Sequence, residues 1–120
     1  MGNKTLQKEA ARLFDKKDIA LEDVYRKAME GKKKALGFWE MVGSRVAAGL
    51  IGPINILNPE CVIIGGGVSR SFELMKPSIE KTIKRRCMKI QAEMVRFVRA
   101  RLEDDAGIIG AEVLIRHEKN

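Results

Sequence analysis

Apolar residues recur at helical spacing through the first half of the chain, then change to a continuous apolar run near its middle. Leu6, Ala10, Leu13 and Phe14 predict a helix over about 5–14, and Leu21 to Met29 predict a second, closed by Gly31. A longer third helix follows, with Leu36, Trp39, Val42, Val46 and Leu50 in one stripe, and with Ala47, Ala48 and Gly49 offering a thin face for close approach. Such a stripe is core, so Trp39 is given no ligand role. Pro53 interrupts the pattern: it has no N–H to donate, and its ring presses toward the carbonyl of Gly49, which predicts a kink.

Asn58 to Ser69 is the most informative stretch. Pro59 disfavours helix at Asn58, and Cys61 to Ile64 read as a strand covered on both faces. Gly65, Gly66 and Gly67 then let the backbone turn sharply and approach a ligand, and the N–H groups opening the next helix attract an anion. Two competing phosphate motifs fail. A dinucleotide fingerprint starting at Gly65 needs glycine where Arg70 stands, and the Gly-Lys-Ser/Thr of a P-loop occurs nowhere.

Past the turn, Met75, Ile79, Ile83 and Cys87 mark the buried edge of a helix whose regular part is expected to begin at Pro77. A second strand is predicted from about 94 to 100, with Val95 and Phe97 on one face and Met94, Val98 and Ala100 on the other. Strand, helix, strand implies a right-handed parallel crossover. Asp104 and Asp105 are read as caps of a last helix in which Ile109, Val113 and Leu114 face the core, and Gly107 and Gly110 would let it pass close to the glycine turn.

The segment Asn58-Pro59-Glu60 running into Gly65-Gly66-Gly67-Val68-Ser69 closely resembles the C-terminal half of the ROK family (repressors, open reading frames and sugar kinases). Asp18 to Gly31, Ile54 to Pro59, and Asp104 to Ala111 resemble family segments in family order, so the likeness covers nearly the whole chain. Gly52-Pro53 departs from it, since ROK sequences usually carry Asn and Leu there in an unbroken helix. The resemblance implies an α/β fold, the C-terminal part of an actin-like ATPase (ribonuclease H-like) domain with a small parallel sheet flanked by helices. Residues 1–120 are expected to form one domain or domain fragment, helical over 1–58 and strand-helix-strand-helix over 59–117.

For function, the resemblance implies an ATP-dependent hexose phosphotransferase, with ATP or ADP and Mg²⁺ as cofactors. Gly65, Gly66, Gly67 and Val68 would approach the nucleoside and nearest phosphate. The family's Asp-x-Gly-x-Thr phosphate loop, its Asn-Asp pair with the catalytic base, and its sugar-holding Glu and His do not occur here; Asp105-Ala106-Gly107 begins like the loop, but Ile109 stands in place of Thr. No catalytic residue and no kinase activity are therefore expected of the isolated chain. The family's zinc cluster would lie upstream of Met1, so no metal ligand and no zinc are expected.

Composition adds limits. At 120 residues, with 45% hydrophobic and 32% charged positions, the chain has the make-up of an ordinary globular domain. The net charge of +7 is spread along it, and the clusters Lys32-Lys33-Lys34 and Lys84-Arg85-Arg86 read as solvated helix ends without interleaved aromatics. Cys61 and Cys87 form no CxxC pair and are read as buried thiols, while His117 is read as a solvated end residue. No apolar stretch is long enough for a membrane span, and a cytoplasmic location is expected.

Two functional readings follow. The first is a nucleotide-binding segment of a sugar kinase. The second is a noncatalytic regulatory or structural module that self-associates: without upstream neighbours, Cys61 to Ile64 would expose backbone groups that a second copy, or the rest of a kinase, could cover. A homodimer is expected. A nucleic-acid partner is not, because no helix-turn-helix is found.

Overall fold

The computed structural model describes residues 3–17, 19–66, 69–100 and 111–116. Three helices come first: α1 (Asn3–Leu13), α2 (Leu21–Met29) and α3 (Lys33–Leu57). Asp15 and Gly31, both at positive φ, turn the chain after α1 and α2. That conformation costs glycine nothing, and the short polar side chain of aspartate tolerates it. α1 also meets α3 at the surface, where the Arg45 guanidinium donates to both oxygens of Glu9 at 2.6 and 2.7 Å.

α3 is the spine. It buries Ala35, Phe38, Trp39, Val42, Gly43, Ala47, Leu50 and Ile54, and the Phe38 and Trp39 rings meet edge to face at 5.1 Å. Pro53 does not end it. The missing N–H leaves the carbonyl of Gly49 without its usual donor, but Gly49 is exposed and water can take that place. The chain stays helical to Leu57, where Asn58, left-handed at φ 46°, caps it by donating its N–H to the carbonyl of Ile54 at 2.9 Å. Asparagine is one of the few residues that adopts this conformation readily, and Pro59 prevents the helix from resuming.

The thin face expected at Ala47 to Gly49 lies elsewhere. Ala48 and Gly49 are exposed, and a Cβ on Gly49 would meet nothing within 4 Å. The close approach occurs one turn earlier, at Gly43, where an added Cβ would collide with the Ser78 hydroxyl and lie 2.7 Å from the Met75 carbonyl oxygen. Both partners belong to α4 (Phe72–Arg86), which packs along α3. α4 starts earlier than its proline suggested: Pro77 lies inside the helix. The carbonyl that loses its donor is that of Glu73, an exposed residue of the first turn.

A three-stranded mixed sheet lies beside these helices, made of β1 (Cys61–Gly66), β2 (Arg96–Arg99) and β3 (Ala111–Arg116) in the order β2-β1-β3. β1 and β2 are parallel, in register from Cys61 opposite Arg96 to Ile64 opposite Arg99, and α4 lies between them in sequence. A short helix, α5 (Lys89–Met94), precedes β2, so Met94 ends a helix instead of starting the strand. Asn55 positions it by accepting the Met88 N–H on Oδ1 at 3.0 Å.

β3 corrects the reading of the C-terminal region. Residues 111–116 form a strand antiparallel to β1, not part of a helix, with Ile64 opposite Val113 and Ile63 opposite Leu114. Val113-Leu114-Ile115 suits either conformation, and the ladder offered by β1 decides. β1 is consequently the central strand, with a neighbour on each side, so the free edge expected at Cys61 to Ile64 does not exist. Asp104, Asp105, Gly107, Ile109, Gly110 and His117 lie outside the described residues.

The alternation of β1 and β2 sorts two apolar faces. Val62, Ile64 and Phe97 join the main core with α3 and α4, and Val95 packs against it. Cys61, Ile63 and Ala100 form a smaller cluster, against which Val98 packs. Cys61 and Cys87 are free thiols, both buried; burial pushes the Cys87 thiol up, against the opposing pull of Arg86. Among the described residues no helix is long and apolar enough to cross a membrane.

Candidate nucleotide site

The candidate site is assembled at the carboxyl end of β1, where open α/β sheets bind their ligands. The strand runs farther than the pattern suggested. Gly65 and Gly66 belong to it, opposite Glu112 and Ala111 of β3, so they extend the ladder before the chain turns. Two consecutive positions without side chains leave the backbone open to close approach. β2 flanks the same end, where Ala100 donates its N–H to the carbonyl of Ile64 at 2.9 Å. Gly67 and Val68, the other two residues singled out from the sequence, lie outside the described residues.

The chain reappears as a short 3-10 turn, Ser69–Ser71, that leads directly into α4. Ser69 and Ser71 are buried, and Phe72 joins the core behind them. Ser69 entered the sequence reading only as the end of the glycine motif and Ser71 not at all; a Ser-x-Ser pair just before an apolar helical run was the available signal. Arg70, between them, points outward, and its guanidinium lies 3.5 Å from a Glu22 carboxylate oxygen of α2. Both groups are well exposed, so the pair orients more than it stabilises.

What this arrangement offers chemically is backbone and hydroxyl, not acid or base. The N–H groups that open a helix of 15 residues carry the positive end of its dipole, a suitable place for a phosphate. Among the described residues no group of three or more His, Cys, Asp or Glu could hold a metal ion. The site can bind and orient, and its described residues include no base for removing a hydroxyl proton.

The model of the ROK family matches residues 1–118. The chain belongs to the ROK family. It is 35% identical to a glucokinase of Thermotoga maritima over 89 residues, covering 74% of this chain and 28% of that protein. It is 28% identical to a glucokinase of Halalkalibacterium halodurans over 108 residues, covering 89% of this chain and 33% of the relative. The solved structure of a ROK family transcriptional regulator, a homolog of the E. coli MLC protein, superposes over 87% of this chain and 28% of its own, with a TM-score of 0.76 at 23% identity. At that identity the likeness establishes the fold. This ROK chain thus spans about a quarter to a third of the length of the relatives it matches.

Proposed function

We propose that this chain is the nucleotide-holding segment of a ROK sugar kinase, and that Gly65, Gly66, Gly67 and Val68 approach the nucleoside and nearest phosphate of ATP or ADP. The observation that supports this reading most is the position of β1: the central strand of the sheet ends in side-chain-free Gly65 and Gly66 and leads through Ser69–Ser71 into the positive end of α4. Mg²⁺ would accompany the nucleotide and offset phosphate charge. In a whole kinase the phosphoryl acceptor would be a hexose hydroxyl, in keeping with the glucokinase relatives, and the reaction would belong to the cytoplasm.

The isolated chain should bind without catalysing. Phosphoryl transfer needs a positioned acceptor and a residue that takes its proton, and the Asp-x-Gly-x-Thr and Asn-Asp motifs for this are absent from the sequence. With one wall of a cleft, affinity for ADP should be weak, with Kd on the order of 0.1–1 mM. In an NMR titration with ADP, the amides from Gly65 to Phe72 should move together. If they stay fixed at millimolar ADP while another surface responds, the nucleotide reading is wrong.

A second reading, self-association, is favoured by one apolar surface. Ile56 is 82% and Ile90 68% exposed, and the bond from Met88 to Asn55 holds the two helices bearing them together. Leu57, Met88 and Met94 are also exposed. A second copy related by a two-fold axis could cover this surface with its own. The cations on α4 and α5 oppose such contact, but at physiological salt charges are screened over about 8 Å. Light scattering across a dilution series should show a dimer, and Ile56→Asp with Ile90→Asp should return it to monomer. A wild-type monomer at micromolar concentration would end this reading.

A further inference from the structure

A groove between α3 and α4 has no residue of β1 or of the Ser69–Ser71 turn in its lining. Its volume is about 410 Å³, room for a small metabolite. Gly37 and Pro77 keep its walls low, and a Cβ on Gly37 would meet nothing within 4 Å. Measured along α4, its lining from Pro77 to Arg85 begins about 8 Å from the start of the helix, at about 1.5 Å per residue.

Most of the groove's polar side chains have no partner among the described residues. Lys81 and Arg85 sit one turn apart on α4 and face Glu40 and Ser44 of α3 across the opening. Among the described residues no ion pair joins Glu40 to either cation. Thr82, on the same wall, is 95% buried (5% exposed), yet its hydroxyl makes no hydrogen bond with any described residue. A helical threonine commonly returns its hydroxyl to a carbonyl of the preceding turn. Here it does not, although the neighbouring Ser78 hydroxyl does, donating to the Met75 carbonyl at 3.0 Å. An unpaired hydroxyl on the groove wall keeps its donor and its acceptor sites open to whatever enters the groove.

We propose that this groove is a second ligand site, for a small phosphorylated polyol. Lys81 and Arg85 hold the phosphate, the guanidinium by paired N–H donation. Glu40 accepts hydrogen bonds from ligand hydroxyls, and Ser44 and Thr82 exchange hydrogen bonds with them. The carboxylate makes the ligand more than an anion: Glu40 repels bare phosphate and favours a molecule with donors at one end and charge at the other.

The test is an NMR titration of the full 120-residue chain with glycerol phosphate, inorganic phosphate and glycerol. Glycerol phosphate should move amides within 37–44 and 77–85 while leaving Gly65 to Ser71 unmoved, which separates this site from the nucleotide reading. Lys81→Gln with Arg85→Gln, both on exposed residues, should weaken binding at least about tenfold, and Thr82→Val, of nearly equal shape, about fivefold. Unchanged chemical-shift dispersion in the rest of the spectrum serves as the check on folding. Should Thr82→Val fail that check, the exposed double variant alone carries the test. The proposal is overturned if the groove amides stay still at about 10 mM ligand, if the double variant binds as well as wild type, or if inorganic phosphate binds as tightly as glycerol phosphate.

Discussion

Replacing Trp39 with alanine should remove about 3–5 kcal/mol of stability, a large share of the roughly 5–15 kcal/mol that holds a folded domain together. Trp39 is among the largest fully buried side chains and meets Phe38 edge to face in the core that α3 carries. Its removal would leave a cavity in the element on which α2 and α4 pack. The companion variant isolates the cause. The Trp39 indole N–H is buried without a hydrogen-bond partner, so Trp39→Phe discards an uncompensated polar group together with part of the ring. It should lose far less than the alanine variant. Urea unfolding of the two variants against wild type measures both effects; equal losses would show that the indole makes a bond essential to the fold.

Gly43→Leu should be comparably damaging, for the opposite reason. Even the single Cβ of alanine would sit 2.7 Å from a backbone oxygen of α4 and 3.2 Å from the Met75 Cβ, so the two helices would have to separate. Alanine should cost about 1–3 kcal/mol and leucine more, since overpacking forces backbone shifts that propagate along the contact. The control lies six residues on. Gly49→Ala faces open space and should stabilise by about 0.5–1 kcal/mol, through helix propensity alone. Thermal melts of the three variants decide the matter. If Gly43→Ala is as benign as Gly49→Ala, the α3–α4 crossing is looser than described and the groove beside it loses its fixed walls.

Helices were legible in the sequence where period and punctuation agreed. The apolar spacing of Leu21, Val24 and Ala28, stopped by Gly31, led to the observed helix, as did the change at Asn58-Pro59 from helix to strand. Boundaries set by proline alone were less secure. Pro77 does not begin the regular part of its helix, and Pro53, from which a kink was expected, also lies within one; in each case the carbonyl deprived of a donor belongs to an exposed residue, Glu73 or Gly49, where water can substitute. The strand leading into the candidate nucleotide site was legible too. How many glycines remain in the strand was not, since that depends on a ladder with residues nearly fifty positions later.

By itself the sequence determined what is local: which segments of the first half are helical, which stretch is a buried strand, that a helix containing Ile79 and Ile83 follows it, and the resemblance to the ROK family that the family match establishes. These follow from period, proline and glycine, whose effects act within a few residues. Tertiary structure decided what depends on partners. It made residues 111–116 a strand by pairing them with β1, and it made β1 the central strand instead of an exposed edge. It also chose Gly43 over Gly49 as the helix crossing and left the Thr82 hydroxyl facing an open groove. The physical reason is the same each time: a backbone donor, a missing side chain or a hydroxyl has no fixed meaning until packing determines what lies opposite it.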